Sequence, residues 1–573
     1  MKKSRLYWRT AFLFCMLNTA TLAATPTIPG SVNPGLVGKN YLPVAPTTPA
    51  PPAASAITAP KAPSPSVEPA PGEVVFTLNN IVLSGNHIYT TGQLAPLYQK
   101  ELRTIISLPE LKNIVQDITN FYRNHGYILS RAVLAPQIVK GGVIHIQIIE
   151  GYIDHIKVTG DVKNTGSLLL AYTQPLLNVR PTTMAQLEKY LRIANEIPGV
   201  QVKAVLEPST THLGASTLNL VATLKRVDAS LTYDNHGTVY LGPQQLTGTI
   251  AINSLIRPGD TTQLTYLNTT NNKALHYIDV SHQTPIGSHG LTLTVGGNRS
   301  ETAPGLNLQT LDTRGTADTY YTSLQYPLIR SREQDLTLDT GFSYVDSKTT
   351  LFGNTTTLYN DEIRPIKIGG TYRLSDSFNG TSVSAAHIER GLGIMGADTD
   401  SSSPTASRFG ATGVFTKLTA QISHLQPISN RFSLLATTTG QYTLNPLLSS
   451  EQFGFGGSQI GRGYDPSELL GDQGLAGSLE LRADLYPEFL KLQNIQLYSF
   501  YDIGKIWNKN SSVSDTPANQ SAASAGLGLR FAFNRFLSGD LMYAQPLTKD
   551  ITSEALLNRG RNPKVFFSLT SSV

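Results

Sequence analysis

Residues 453–466 read FGFGGSQIGRGYDP, and six of the eleven positions from Phe453 to Gly463 are glycine or arginine. A guanidinium is permanently charged and planar, with its donors set in a fork that matches a carboxylate. The glycines around Arg462 let the backbone turn sharply and lie close against another surface. Two carboxylates are placed to answer that charge. Glu480 in SLELRADLY and Asp502 in FYDIG fall on the same parity of neighbouring predicted strands, opposite the apolar Leu479, Leu481, Tyr501 and Ile503. The chemistry on offer is ion pairing rather than bond making. GSQIGRG is only superficially like a phosphate loop, because no lysine and no predicted helix follow it. GxxxxGK[ST], HExxH and G-x-S-x-G do not occur, and the eleven histidines show no metal-ligand spacing. No catalytic residue, metal or cofactor is therefore expected.

The elements that must position these groups change character along the chain. From residue 227 to 573 the sequence reads as about sixteen segments of roughly ten alternating residues, separated by Gly, Asn, Asp, Ser and Pro turns. In AGLGLRFAF, Leu527, Leu529, Phe531 and Phe533 share one face, while Gly526, Gly528 and Arg530 share the other. Alternation alone fits a soluble sandwich or a membrane barrel with a wet lumen. A leader segment, 25 tyrosines for interfacial girdles and the number of strands favour the barrel.

Residues 74–226 read instead as strands and helices in two successive α+β units, expected at 74–151 and 152–226. VVFTLNNIVLSG reads as one strand, and Ser107 with Glu110 forms a capping box before a helix whose apolar face is Leu111, Ile114, Val115, Ile118, Phe121 and Tyr122. RAVLAPQIV and GVIHIQIIEG read as strands, the second with Ile144, Ile146 and Ile148 on one face. In the second unit MAQLEKYLRIANEI is the expected helix, and QVKAVLEP and STLNLVATLKR are expected strands.

At the N-terminus Lys2, Lys3, Arg5 and Arg9 precede an apolar stretch and the small residues ATLAA, the order of a secretory signal expected to span residues 1–23. The one cysteine, Cys15, lies within it. Without those four cations the 45 basic residues fall to 41 against 40 acidic ones, a balance that gives no reason to expect nucleic acid as a partner. Residues 24–73, rich in Pro, Ala, Ser and Thr, read as an extended linker without a packed core.

Three stretches together carry a resemblance. FYRNHGYILSRAVLAPQIVKGGVIHIQIIEG (Phe121 to Gly151), YDNHGTVYLGPQQLTGTIAINSLIRPGD (Tyr233 to Asp260) and SSEQFGFGGSQIGRGYDPSELLGDQGLAGSLELR (Ser449 to Arg482) resemble the outer-membrane transporters of two-partner secretion, the TpsB family. That resemblance implies two periplasmic POTRA domains, the first with Gly126, Tyr127, Pro136, Gln137 and Gly151 as motif residues. A sixteen-stranded transmembrane β-barrel follows them, and a plug segment can lie within residues 24–73. It also implies that the loop after the eleventh strand folds into the lumen and pairs its tip arginine with a carboxylate. Here the tip is Gly461, Arg462, Gly463 and Tyr464, and Gly461 replaces the usual branched residue, which predicts a looser tip. Glu480 and Asp502 are the expected lumenal partners. The alternative leaves Arg462 in lumen water, with Asp502 paired to Arg482 or Arg530.

The function so implied is export of an unfolded β-rich exoprotein, captured by the POTRA domains and passed to the surface of a Gram-negative cell. An outer-membrane insertase and a passive porin are the alternatives. Lipid and the barrel-assembly machinery are the other expected partners. Such barrels usually finish on an aromatic residue; in KVFFSLTSSV, Phe566 and Phe567 are the candidates to replace it.

Overall fold

A computed structural model describes residues 28–42, 57–58, 75–212, 214–270, 274–485, 494–509 and 517–573. The expected signal, residues 1–23, lies outside them.

Sixteen antiparallel strands close into a barrel, each hydrogen-bonded to its neighbour in sequence and the last, Lys564–Ser572, to the first, Val227–Asp234. The closing pair shares five residue pairs, the shortest ladder in the wall. Period-two patterning decides which way each side chain faces. Leu479, Leu481 and Leu527 stand outward and exposed, while Glu480, Arg482 and Asp502 point inward and are buried. In a membrane barrel that is lipid outside and a polar lumen inside.

The eighth strand is broken. Thr356–Ile363 pairs with the upper part of the seventh strand and Pro365–Ser375 with its lower part, with Arg364 between them. Proline has no N–H to give the ladder. The Arg364 guanidinium, fully buried, donates to the carbonyls of Val345 at 2.8 Å, Ile363 at 3.0 Å and Met395 at 3.1 Å, and lies 3.4 Å over the Tyr344 ring.

The first α+β module packs the helix Leu108–Asn124 on a three-stranded sheet, through Leu111, Ile114, Ile118 and Tyr122 against Ile144, Ile146 and Ile148. Ser107 and Glu110 form the capping box. The Ser107 amide and hydroxyl hold the Glu110 carboxyl below its ordinary range. VVFTLNNIVLSG is two strands rather than one. Val75–Thr77 pairs with Ile105–Ser107 and Asn80–Ser84 with Val143–Ile149, and the chain turns at Leu78–Asn79 to change partner. RAVLAPQIV is strand only at Arg131–Val133. Beyond it the Gln137 amide takes the place of a strand residue, donating to the His145 carbonyl and accepting its N–H, both at 2.8 Å.

The second module packs the helix Met184–Asn195 over the strands Tyr152–Thr159, Val200–Pro208 and Ala215–Leu224. Its edge strand Val200–Pro208 is paired in parallel by Ile57–Thr58.

One reading of the sequence is corrected here. Residues 24–73 are not all unpacked linker: Gly30–Val32, Pro34–Leu36 and Val37–Tyr41 form short helical turns, with Val32, Leu36, Val37 and Tyr41 buried. They sit inside the barrel against Tyr240, Leu241, Leu267, Leu275, Tyr277 and Leu308. Four apolar side chains at near-helical spacing supply enough burial to override the composition of the surrounding stretch.

Candidate latch and plug inside the barrel

The loop between the eleventh strand, Phe432–Thr443, and the twelfth, Gln473–Leu485, turns back into the lumen. It carries a small hairpin of Phe453–Phe455 with Leu469–Gly471. Phe453, Phe455, Tyr464 and Leu469 pack against Ala476, Ile506 and Ala522 of the wall, which fixes where the loop tip falls.

At that tip Arg462 meets both carboxylates. Its Nε donates to Asp502 Oδ2 at 3.0 Å and its Nη2 to Asp502 Oδ1 at 2.9 Å, a bidentate pair. Nη1 donates to Glu480 Oε2, and Nη2 also reaches Ser478 Oγ at 2.9 Å. The guanidinium lies 3.7 Å over the Phe500 ring, where cation–π attraction adds to the ion pair. Asp502 further accepts the backbone N–H groups of Gly461 and Arg462, each at 3.0 Å. Asp502 is fully buried and Arg462 is 6% exposed, so the pair is largely desolvated.

Asp502 does not pair with Arg482 or Arg530. Those two arginines serve Glu480 instead: Arg482 Nε donates at 2.8 Å and Arg530 Nη1 at 2.7 Å to Oε1. Three guanidinium groups thus surround one carboxylate, while Asp540 takes up part of the Arg530 charge at 3.3 Å.

The looseness expected from Gly461 is not present. Its φ is +82°, and a Cβ there would stand 2.9 Å from both Gly456 N and the Phe455 ring. Glycine is what lets this backbone reach Asp502. Gly463 comes equally close to the adjacent strand of the same wall, where a Cβ would be 2.8 Å from Ser524, the cross-strand partner of Asp502. The Tyr464 hydroxyl donates to the Ala523 carbonyl at 3.0 Å and accepts the Lys549 N–H at 3.2 Å. Just beyond, Asp465 accepts from Ser553 and from Lys564, the latter at 2.7 Å, and Glu468 accepts from Lys549 at 2.8 Å.

The resemblance allowed a plug segment somewhere within residues 24–73 but did not say which residues; the lumenal segment is 28–42, and its one charge marks it. Lys39 donates to the Ser450 carbonyl at 2.9 Å and stands 4.0 Å from Glu451. Glu451 in turn pairs with the buried Lys417, which lies 3.5 Å from Glu389. Asn40 accepts from Ser467 at 2.7 Å, so plug and loop touch directly. On the facing wall Ser300 and Thr302 donate to the carbonyls of Pro34 and Val32.

The remaining motif residues are structural in their contacts. Gly126 has a φ of +89° at the helix end, and its carbonyl accepts the Met184 N–H. The Tyr127 N–H returns to Tyr122 O. Pro136 stands in the irregular stretch before Gln137. A Cβ at Gly151 would be 2.3 Å from Leu129 O. Among the described residues no cluster of His, Cys, Asp and Glu is arranged to hold a metal ion.

A closed sixteen-stranded barrel with apolar side chains outside and a polar lumen, preceded by α+β modules, defines a β-barrel protein of the bacterial outer membrane. Residues 214–531 match the model of the haemolysin secretion/activation protein ShlB/FhaC/HecB family, and residues 76–151 that of the ShlB-type POTRA domain. The chain belongs to that family, the transporters of two-partner secretion. It is 24% identical over 492 residues to the heme/hemopexin transporter protein HuxB of Haemophilus influenzae strain 86-028NP, covering 84% of this chain and 85% of that one. It is 23% identical over 478 residues to the outer membrane transporter CdiB of Dickeya dadantii, covering 82% and 83%. Among solved structures, CdiB from Escherichia coli superposes with a TM-score of 0.68 at 19% identity, over 90% of this chain and 92% of that one.

Proposed function

We propose that this transporter takes an unfolded β-rich exoprotein from the periplasm through its two POTRA domains and passes it outward through the barrel, with the loop tipped by Arg462 as its latch. The observation that carries the reading is the convergence of four donors from Gly461 and Arg462 on the buried Asp502. A loop held so firmly across the lumen, beside a plug segment, keeps the resting barrel occluded, and cargo passage requires both to yield. Relatives are named as a heme/hemopexin transporter, an outer membrane transporter and a hemolysin transporter, which supports a secreted protein as cargo. Extended cargo can add to an open sheet edge through backbone hydrogen bonds that tolerate varied sequence.

Deleting residues 74–226, while keeping a signal and the barrel from residue 227 onward, tests the capture step. Secretion of its exoprotein is expected to stop, with heat-modifiable barrel still present in outer-membrane fractions. Equal secretion by the truncated protein would show that capture lies elsewhere.

A further inference from the structure

One face of the second POTRA domain's helix carries charge at every fourth residue, with alternating sign: Glu188, Arg192 and Glu196. Glu196 caps the helix Met184–Asn195, so the three form a single stripe. The barrel's periplasmic turn between the sixth strand, Arg314–Arg330, and the seventh, Gln334–Leu351, presents the complementary series. Glu188 pairs with Arg332. Arg192 lies 3.5 Å from Asp335. Glu196 meets Arg330 through two parallel bonds, Nε to Oε1 and Nη2 to Oε2, the second at 3.2 Å. A slip of one helical turn would set Arg192 against Arg332 and Glu196 against Asp335, so the alternation admits one seat only.

The barrel side of this contact does not depend on the domain. Arg330 also donates to Ile329 O at 2.9 Å, Leu336 O at 3.2 Å and Thr337 Oγ1 at 2.9 Å. Asp335 is held by Arg373 Nε at 2.8 Å. Arg332 and Glu196 are 59% and 45% exposed and rehydrate readily. Breaking a buried pair is costly because it strands a charge; separation here strands none on the barrel. Packing beneath the stripe is incomplete, with a cavity of about 180 Å³ left among Ile193, Ile197, Pro285, Pro327 and Gly290.

We propose that this stripe is a releasable electrostatic clamp, which seats the second POTRA domain under the barrel mouth in one register and lets it swing away as a unit. The clamp goes beyond the function proposed above, and its test needs no cargo. Spin labels at Lys157→Cys on the domain and Phe378→Cys on a barrel turn away from the contact, in a full-length Cys15→Ser chain in liposomes, report the distance between the two bodies by pulsed electron resonance. One narrow distance is expected at low ionic strength. Glu188→Arg, or high NaCl, should add a longer population, since salt screens charges that reach solvent, as Arg332 and Glu196 do. Adding Arg332→Glu to Glu188→Arg should restore the single distance. A distribution unmoved by Glu188→Arg would overturn the clamp, because apolar contact would then hold the seat. A longer population that persists in the double variant would overturn it too, because the loss would not come from that pairing.

Discussion

Replacing Arg462 by alanine removes two charge-assisted bonds from Asp502, one from Glu480 and one from Ser478. Breaking a fully buried pair costs about 3–5 kcal/mol and an exposed one about 0–1 kcal/mol. Asp502 keeps two backbone donors, and Glu480 keeps Arg482 and Arg530, so neither carboxylate is wholly stranded. The expected destabilisation of the inward loop is therefore about 2–4 kcal/mol. At about 1.4 kcal/mol per tenfold, that moves the ratio of latched to released loop by about 30- to 700-fold. Planar-bilayer recordings should show a barrel that is open far more of the time, and urea unfolding of the inserted barrel should start at lower denaturant. Arg462→Lys should recover little, because an ammonium cannot bond Asp502 twice while reaching Glu480. A double-mutant cycle with Asp502→Ala isolates the contact: the two losses should fall short of additive by more than about 0.5 kcal/mol. Additive losses, or an Arg462→Ala barrel as closed as the parent, would refute the latch.

Gly461→Val should loosen the same loop by about 1–3 kcal/mol, since a branched residue is strained at this positive φ and meets the Phe455 ring; the urea midpoint reads the loss. At the plug, Lys39→Ala should change the urea midpoint little, by about 0–1 kcal/mol, because Lys39 is 58% exposed. Lys417→Ala, at a 4% exposed site, should cost about 3–5 kcal/mol by leaving Glu451 and Glu389 without their lysine. The double change Phe566→Ala, Phe567→Ala should lower the amount of heat-modifiable barrel. Phe566 packs with Tyr498, Phe500 and Met542, and Phe567 lies 5.4 Å from Tyr233 across the closing seam.

Strand parity placed Glu480 and Asp502 on the lumenal face, because a period of two leaves a side chain only two directions. The same parity could not say which arginine each carboxylate takes. That is decided by how far the 444–472 loop reaches, a tertiary distance with no local signal. Gly461 misled for a related reason: a glycine reads as freedom in a sequence, yet in the fold it is required by one backbone angle and two hydrogen bonds to Asp502. Which residues of 24–73 enter the lumen was hidden by composition, since Val32, Val37 and Tyr41 bury themselves against barrel residues more than 190 positions away. Arg364 was silent as well, although the following Pro365 marks a place where a ladder must stop.

That interruption fixes a waterline on the barrel. Below Arg364 the eighth strand has strands on both sides; above it, Thr356–Ile363 has the seventh strand on one side and the 392–415 loop on the other, with Asn360 N–H bonded to Thr405 O and Asp398 N–H to Glu362 O. An irregular loop on the outside of a barrel does not lie in the hydrocarbon of a membrane, so the loop-covered part stands in water. The outward side chains agree on the level: Tyr320 and Tyr344 sit opposite each other where aromatic rings favour the headgroup zone, and one step higher on the same strands come Asp318 and Asp346, beside Arg299. The outer surface of the membrane therefore crosses this wall at the height of Arg364, and the hairpin above it projects from the cell as a rim braced by the 392–415 loop.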